Sequence, residues 1–174
     1  EGFTLEKASA ELIALLADGS FRDALSVLQK ILSSSPDKKV SLEEVVTVTG
    51  APKSELIERV ILNLNTGLSG DALKAVGEAV KANVDMDVFL MILLERIRIL
   101  LLLRYAPDFG KELLEDFTDT DQAFLENLAK DTKSKINSET LRKLIVASIE
   151  TTRSPVPELP LELAIMELCS KLEA

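Results

Sequence analysis

The sequence predicts an all-α protein, and three observations carry that prediction. Apolar residues recur at three- and four-residue spacing along most of the chain, the pattern of helices with one buried face. Leu, Ala, Glu and Lys are abundant, whereas 174 residues include only 7 Gly and 6 Pro, a balance that favours helix. No stretch shows the apolar–polar alternation of a strand. The chain is 47% hydrophobic and 28% charged, the composition of a packed chain rather than a disordered one. Its length suits one ordinary domain, or a small one followed by a medium one.

A first helix is expected over residues 4–17, with Leu5, Ala8, Leu12, Leu15 and Leu16 on its apolar face. A second starts at Ser20 and buries Leu25, Leu28, Ile31 and Leu32. The polar run from Ser33 through Pro36 to Lys39 reads as a loop. Ser41, followed by Glu44, forms a capping box that opens a short helix, and Gly50 ends it. These three helices make a unit over residues 1–50, and a unit of about fifty residues is too small to be very stable alone.

Ala51-Pro52 marks a boundary, and residues 51–174 are read as a second unit of five to six helices. Leu56, Ile57, Val60, Ile61 and Leu64 define its first helix, stopped by Gly67. The next spans 69–82 with Leu73, Val76 and Val80 inward. A long apolar helix over 87–105 halts at Ala106-Pro107. Helices over 121–130 and 138–151 follow, each opened by a capping residue, and a proline-rich link leads to a last helix over 161–172.

Composition removes several function classes. A net charge of −9 argues against a DNA-binding surface spread over the whole molecule. The absence of histidine removes Ser-His and Cys-His nucleophile pairs and every His-containing zinc set. The single cysteine, Cys169, excludes an internal disulfide and suits a reducing, cytoplasmic compartment; in its apolar helix it reads as a packed thiol. No charged leader with an apolar core and cleavage site is visible, so no secretion signal is expected. The chain opens on Glu1 rather than methionine, and an excised fragment is expected. The apolar run over 88–103 carries Glu95, Arg96 and Arg98 near its middle, where charge is costly in a bilayer, so a membrane span is rejected.

Two places draw attention as sites. The first is the corner Gly19-Ser20-Phe21-Arg22-Asp23. Ser20 is a good N-cap, and Asp23 sits where its side chain can reach back in the manner of a capping box. Arg22 falls in the first turn, where the helix dipole disfavours a cation. Amides, dipole and guanidinium there can instead all face one phosphate. The other reading is an exposed arginine paired with Asp18 or Asp23.

The second is the long helix. Glu95, Arg96 and Arg98 share one broad side with Met91, Ile92, Ile99, Leu102 and Leu103, and a helix apolar all round must be covered on two sides. One cover is the domain core. The other is either a neighbouring subunit, making this set a candidate interface, or further helices of the same domain.

Other constellations carry less. Asp116, Asp119 and Asp121 are spaced like a cation loop but lack its glycine and distal glutamate; capping explains Asp119 and Asp121, and no metal site is expected. Glu43, Glu44, Glu112 and Glu115 read as solvated helix faces. No glycine-rich phosphate loop ending in Gly-Lys-Ser/Thr occurs, nor an apolar run ending in paired acids for magnesium. The chain by itself is therefore expected to hold no cofactor and to be catalytically inactive.

The segment GSFRDALSVLQK (19–30) resembles the sensor-2 helix of the AAA+ clamp-loader ATPases, in the phrasing of the bacterial DNA polymerase III gamma/tau family. EGF (1–3) is similar to that family's exit from its ATPase domain into the lid. VSLEEVVTVTG (40–50) is similar to the end of the lid, and SPVPELPLELAIMELC (154–169) to the closing helix of the collar. These pieces occur in the family's order and spacing over essentially the whole chain; the helices between them match in pattern only.

The resemblance implies a three-helix lid over 1–50 and a collar, the oligomerisation domain, over 51–174. It implies that Arg22, supported by Gly19, Ser20 and Asp23, reads the phosphates of ATP held with Mg by a preceding ATPase domain. It implies partners as well: other clamp-loader subunits through a pentameric collar, and the sliding clamp and primed DNA through the parent complex of DNA replication. The family's phosphate loop, magnesium-binding acids, arginine finger and zinc-binding cysteines are not in this chain, so ATP hydrolysis belongs to the parent protein. Related AAA+ loaders (delta-prime, replication factor C or RarA-like) and a non-catalytic helical scaffold are the alternative readings.

Overall fold

Val40 and Ile31, both sealed from solvent, organise the N-terminal part of the chain. The computed structural model describes residues 2–17, 19–35, 39–115 and 117–170. Strand β1 (Thr4–Leu5) is followed by α1 (Lys7–Leu16), α2 (Phe21–Ser34), strand β2 (Lys39–Val40) and α3 (Leu42–Thr49). Ile13, Ile31, Val40 and Val45 form the buried centre, with Leu12, Val27, Leu28 and Leu32 packed around it.

The strands correct the expectation of helix from residue 4 and of no strand anywhere. They pair in parallel, Thr4 with Lys39 and Leu5 with Val40, with α1 and α2 as the crossover that parallel pairing requires. The Glu6 N–H also donates to the Val40 carbonyl at 3.3 Å, and the Ser9 hydroxyl donates to the same oxygen at 3.4 Å. Burial of Val40 draws the two segments together, and a two-residue strand is too short to leave a periodicity. Leu5 is consequently exposed, and Ile13 takes the core position.

Helix α2 also differs from expectation at both ends of its apolar face. Ser33 and Ser34 belong to the helix, their hydroxyls donating to the carbonyls of Gln29 (2.8 Å) and Lys30 (3.1 Å). Leu25, expected inside, is 49% exposed, because the core-facing side runs through Val27, Leu28 and Ile31. Pro36, Asp37 and Lys38 of the expected loop lie outside the described residues. The start of α3 matches its sequence. The Ser41 hydroxyl accepts from the Glu44 amide while the Glu44 carboxylate accepts from the Ser41 amide, and Gly50 caps the other end at φ 70°.

From residue 51 the chain forms α4 (Ser54–Thr66), α5 (Ser69–Lys81), α6 (Met86–Tyr105), α7 (Pro107–Leu114), α8 (Asp119–Ala129), α9 (Ser138–Thr151) and α10 (Leu159–Ser170). Among the described residues seven helices stand where five to six were expected, and α7 is the addition. Pro107 ends α6, since the residue before a proline is driven out of helical geometry. It then opens α7, where a first-turn proline loses no hydrogen bond. Gly110 seats α7 on the backbone of α6: a Cβ there would lie 2.7 Å from the Leu103 nitrogen. The α8 start is set by Thr118, whose hydroxyl accepts from the Asp121 amide, and the α9 start by a capping box on Asn137. The expected end of the last helix, residue 172, lies outside the described residues.

Helix α6 is the axis of this second cluster. Phe89, Leu90, Leu93, Ile97 and Leu100 on it are fully buried among Ile57, Val60 and Ile61 of α4, Val76 of α5, Leu125, Leu144 and Leu161. The two buried clusters also touch: Leu12 packs against both, and Leu15 and Val46 pack against the second. The Asp85 amide donates to the Gly50 carbonyl at 2.9 Å, and Lys7 Nζ donates to the Phe117 carbonyl at 3.4 Å.

Candidate functional site

Gly19 turns the chain between α1 and α2 with φ +75°, a left-handed conformation that suits glycine. Ser20 follows in extended geometry, and its Oγ accepts from the Asp23 amide at 3.3 Å. The reciprocal half of a capping box is not made, because the Ser20 amide already donates to the Ala17 carbonyl at 2.8 Å. Asp23 therefore contributes a first-turn negative charge rather than a second cap.

Arg22 stands exposed in that first turn. Its backbone carbonyl accepts from the Ser26 hydroxyl at 2.9 Å. Among the described residues its guanidinium makes no ion pair, with Asp23 or any other acid. Asp18, the other partner considered, lies outside the described residues. Phe21, next to Arg22, is 79% exposed. The helix start thus presents a cation, first-turn amides and an aromatic ring together.

The residues singled out on α6 do not form one surface. Ile92, Arg96 and Ile99 are buried inside the chain; Met91, Glu95, Leu102 and Leu103 are half-buried; Arg98 is exposed and bonded to Glu95 at 2.9 Å. Both sides of α6 are covered by the chain's own helices, α4 and α7 to α9. Arg96 lies 2.7 Å from the Asp121 carboxylate on α8 and donates to Ser54 Oγ on α4 at 2.9 Å. Burial lowers its pKa, while Asp121 and then Glu58 hold it up. Arg96 therefore ties three helices of its own chain together.

That pair also accounts for one of the three clustered aspartates. Asp121 is buried against Arg96, Asp119 opens α8 as its first residue, and Asp116 lies outside the described residues. No group of metal-ligating side chains occurs among the described residues. Cys169 is buried, and burial raises its thiol pKa. Among the described residues no helix is long and apolar enough to cross a membrane.

The surface that sequence reasoning missed runs along α9 and α10. Ile145, Val146 and Ile149 project outward from α9, and Leu163 and Met166 from α10. A groove of about 490 Å³ runs between the two helices, continued by a smaller one of about 290 Å³ at Ile149, Arg153 and Leu159. Lys143 pairs with Glu167 across it. The signal was present: α9 carries Leu141, Leu144, Ile145, Val146 and Ile149, more apolar residues than one inward stripe needs. An exposed apolar patch of this kind marks an interaction surface. A second exposed apolar feature sits where α6 turns into α7, with Tyr105 (77% exposed) and Phe109.

No family model matches the chain. Over 169 residues, 97% of the chain, it is 28% identical to the DNA polymerase III subunit tau of Bacillus subtilis (strain 168). The chain spans 29% of the length of that relative.

Proposed function

We propose that this chain is part of a subunit related to DNA polymerase III tau and serves the loading of a sliding clamp in DNA replication. In this reading residues 1–50 are a lid and residues 51–174 a collar. The observation that carries it is Arg22: an exposed arginine, unpaired among the described residues, in the first turn of α2. It lies within a chain that is similar to the tau subunit along almost its full length. An arginine unsuited to the helix dipole is well suited to the phosphates of a nucleotide, which first-turn amides and a guanidinium bind together. The nucleotide, ATP with Mg, is held by an ATPase domain that precedes the lid in the complete subunit. The lid closes on that domain, and Arg22 reports whether the terminal phosphate is present.

The collar joins subunits. Its α9–α10 face supports this role, since it leaves five large apolar side chains in water, a surface that a partner subunit covers. Closely packed apolar contacts between α1, α3 and the second cluster provide the route by which lid movement reaches the assembly.

The experiment is Arg22→Ala in the complete subunit, with its partners, assayed for ATP-dependent clamp loading on primed DNA. Slowed loading with unchanged subunit assembly and unchanged thermal unfolding supports the sensor role. Loading at the normal rate overturns it.

A further inference from the structure

We propose that the outer face of α7, with the α6–α7 corner beside it, docks a basic segment of another protein, one that carries arginines or lysines next to a bulky apolar residue. This goes beyond the reading above and uses neither Arg22 nor the α9–α10 face.

The apolar part of this face makes it a docking surface. Tyr105, Pro107 and Phe109 follow one another around the corner and are all exposed, Tyr105 by 77%. Helix α7 reaches the core instead through Leu114 and half-buried Leu113. Its support is closely fitted: a Cβ on Gly110 would meet the Leu102–Leu103 backbone at 2.7–2.9 Å. Aromatic side chains on a fixed support are the usual anchors of an interface, because they bury much area and lose little conformational freedom on binding.

Charge selects the occupant. Asp108, Glu112 and Glu115 recur at four- and three-residue spacing, which places them on one face of α7. All three are exposed, and none forms an ion pair among the described residues. The arrangement works against the helix. Like charges one turn apart repel, and Glu112 and Glu115 stand at the end where the dipole disfavours anions.

Lys111 lies three residues after Asp108 and four before Glu115, and it offsets one of these charges. The neighbouring cations are engaged elsewhere. Arg98 pairs with Glu95 at 2.9 Å. Arg104, next to Tyr105, donates to the Ile136 and Leu128 carbonyls at 2.9 and 3.0 Å. Lys7 lies 3.6 Å from the Glu11 carboxylate and donates to the Phe117 carbonyl. A partner's arginine or lysine supplies the missing charge, and an arginine can also lie over the Tyr105 ring. The apolar residue beside it covers Phe109. An acidic protein segment or a nucleic-acid backbone is repelled from the same place.

The chain carries its own reporter, because Tyr105 is its single tyrosine and it has no tryptophan. Tyrosine emission of the 174-residue chain is followed while a peptide of alternating arginine and leucine is added. Peptide held by acids elsewhere on a chain of net charge −9 leaves this signal unchanged. The expected result is a saturable change in emission, weaker at high salt, where exposed charges are screened. Replacing the peptide's arginines by glutamine, or its leucines by glycine, should weaken binding by about tenfold or more. The double variant Glu112→Lys with Glu115→Lys, and separately Phe109→Ser, should lose as much. Circular dichroism checks that both fold; Asp108→Lys and Phe109→Ala serve in place of either one that does not.

No saturable change overturns the proposal. Equal binding of the glutamine peptide overturns the choice of a basic partner. Equal binding of the glycine peptide, or undiminished binding by Phe109→Ser, leaves charge attraction alone and overturns the apolar anchoring. Emission that shifts with chain concentration in the absence of peptide makes a second copy the occupant and overturns the basic one. Each of these results leaves the Arg22 reading as it stands, since clamp loading by Arg22→Ala is read separately.

Discussion

The Arg96 guanidinium on α6 and the Asp121 carboxylate on α8 meet at 2.7 Å with almost no access to solvent. Ser54 adds a hydrogen bond from α4, and half-buried Glu58 lies close enough for its charge to act on Arg96. A buried pair of this kind adds little over an apolar pair, but losing one partner strands the other charge.

Asp121→Asn should therefore destabilise the chain by about 3 kcal/mol, whereas Arg96→Met combined with Asp121→Leu should restore most of that loss. Urea unfolding of the two variants checks this. A double variant as unstable as the single one would show that the pair itself, rather than the stranded charge, sets stability.

Gly110→Ala should cost roughly 1–3 kcal/mol, the range for forcing atoms into a packed contact. The added Cβ meets the Leu102–Leu103 backbone at 2.7–2.9 Å, so α7 must lift from α6. Thermal unfolding reads the loss.

The Glu44 carboxylate is held below its ordinary pKa, first by the Ser41 amide and next by the Ser35 hydroxyl. A depressed folded-state pKa stabilises the fold above the unfolded value and loses that contribution as pH falls through the folded one. Glu44→Gln should thus lower the urea midpoint at neutral pH. The difference from the unmodified chain should close as pH falls through and below 4.5, the ordinary pKa of a glutamate. A gap that persists in acid would assign the effect to packing.

Ser20→Ala should cost about 1 kcal/mol by removing the α2 cap. Arg22→Ala, at an exposed position, should stay within about 0.5 kcal/mol of the unmodified chain. Chemical denaturation separates the two residues: Ser20 holds the helix start, whereas Arg22, unpaired among the described residues, adds little to stability. A large loss for Arg22→Ala would make it structural.

Much of this fold was legible in local chemistry. Ser20, Ser41 and Gly67 mark helix ends by hydrogen bonds or backbone angles confined to a few neighbouring residues, so the sequence window contains the whole cause. The α4 stripe Ile57, Val60, Ile61 and Leu64 was legible for the same reason. What escaped has distant causes. Thr4–Leu5 becomes a strand because Lys39–Val40 lies beside it. Helix α7 was hidden because Pro107 both ends one helix and opens another, and because its support is the α6 backbone. At the candidate sites, the exposure of Arg22 followed from its place in the first turn. Which apolar side chains of α9 and α10 face water did not, since both helices are apolar on more than one side.

By itself, then, the sequence determined the helical class, most helix starts and the placement of an arginine where a phosphate would suit it. These follow from caps, glycines and periodicity, whose energies act within a turn or two. Only the tertiary structure decided the fate of the charges and spare apolar groups. It buried Arg96 against Asp121, covered α6 on both sides with its own chain, and left the α9–α10 face open. The physical reason is that burial is settled between elements far apart in sequence, by which surfaces meet once every helix has formed.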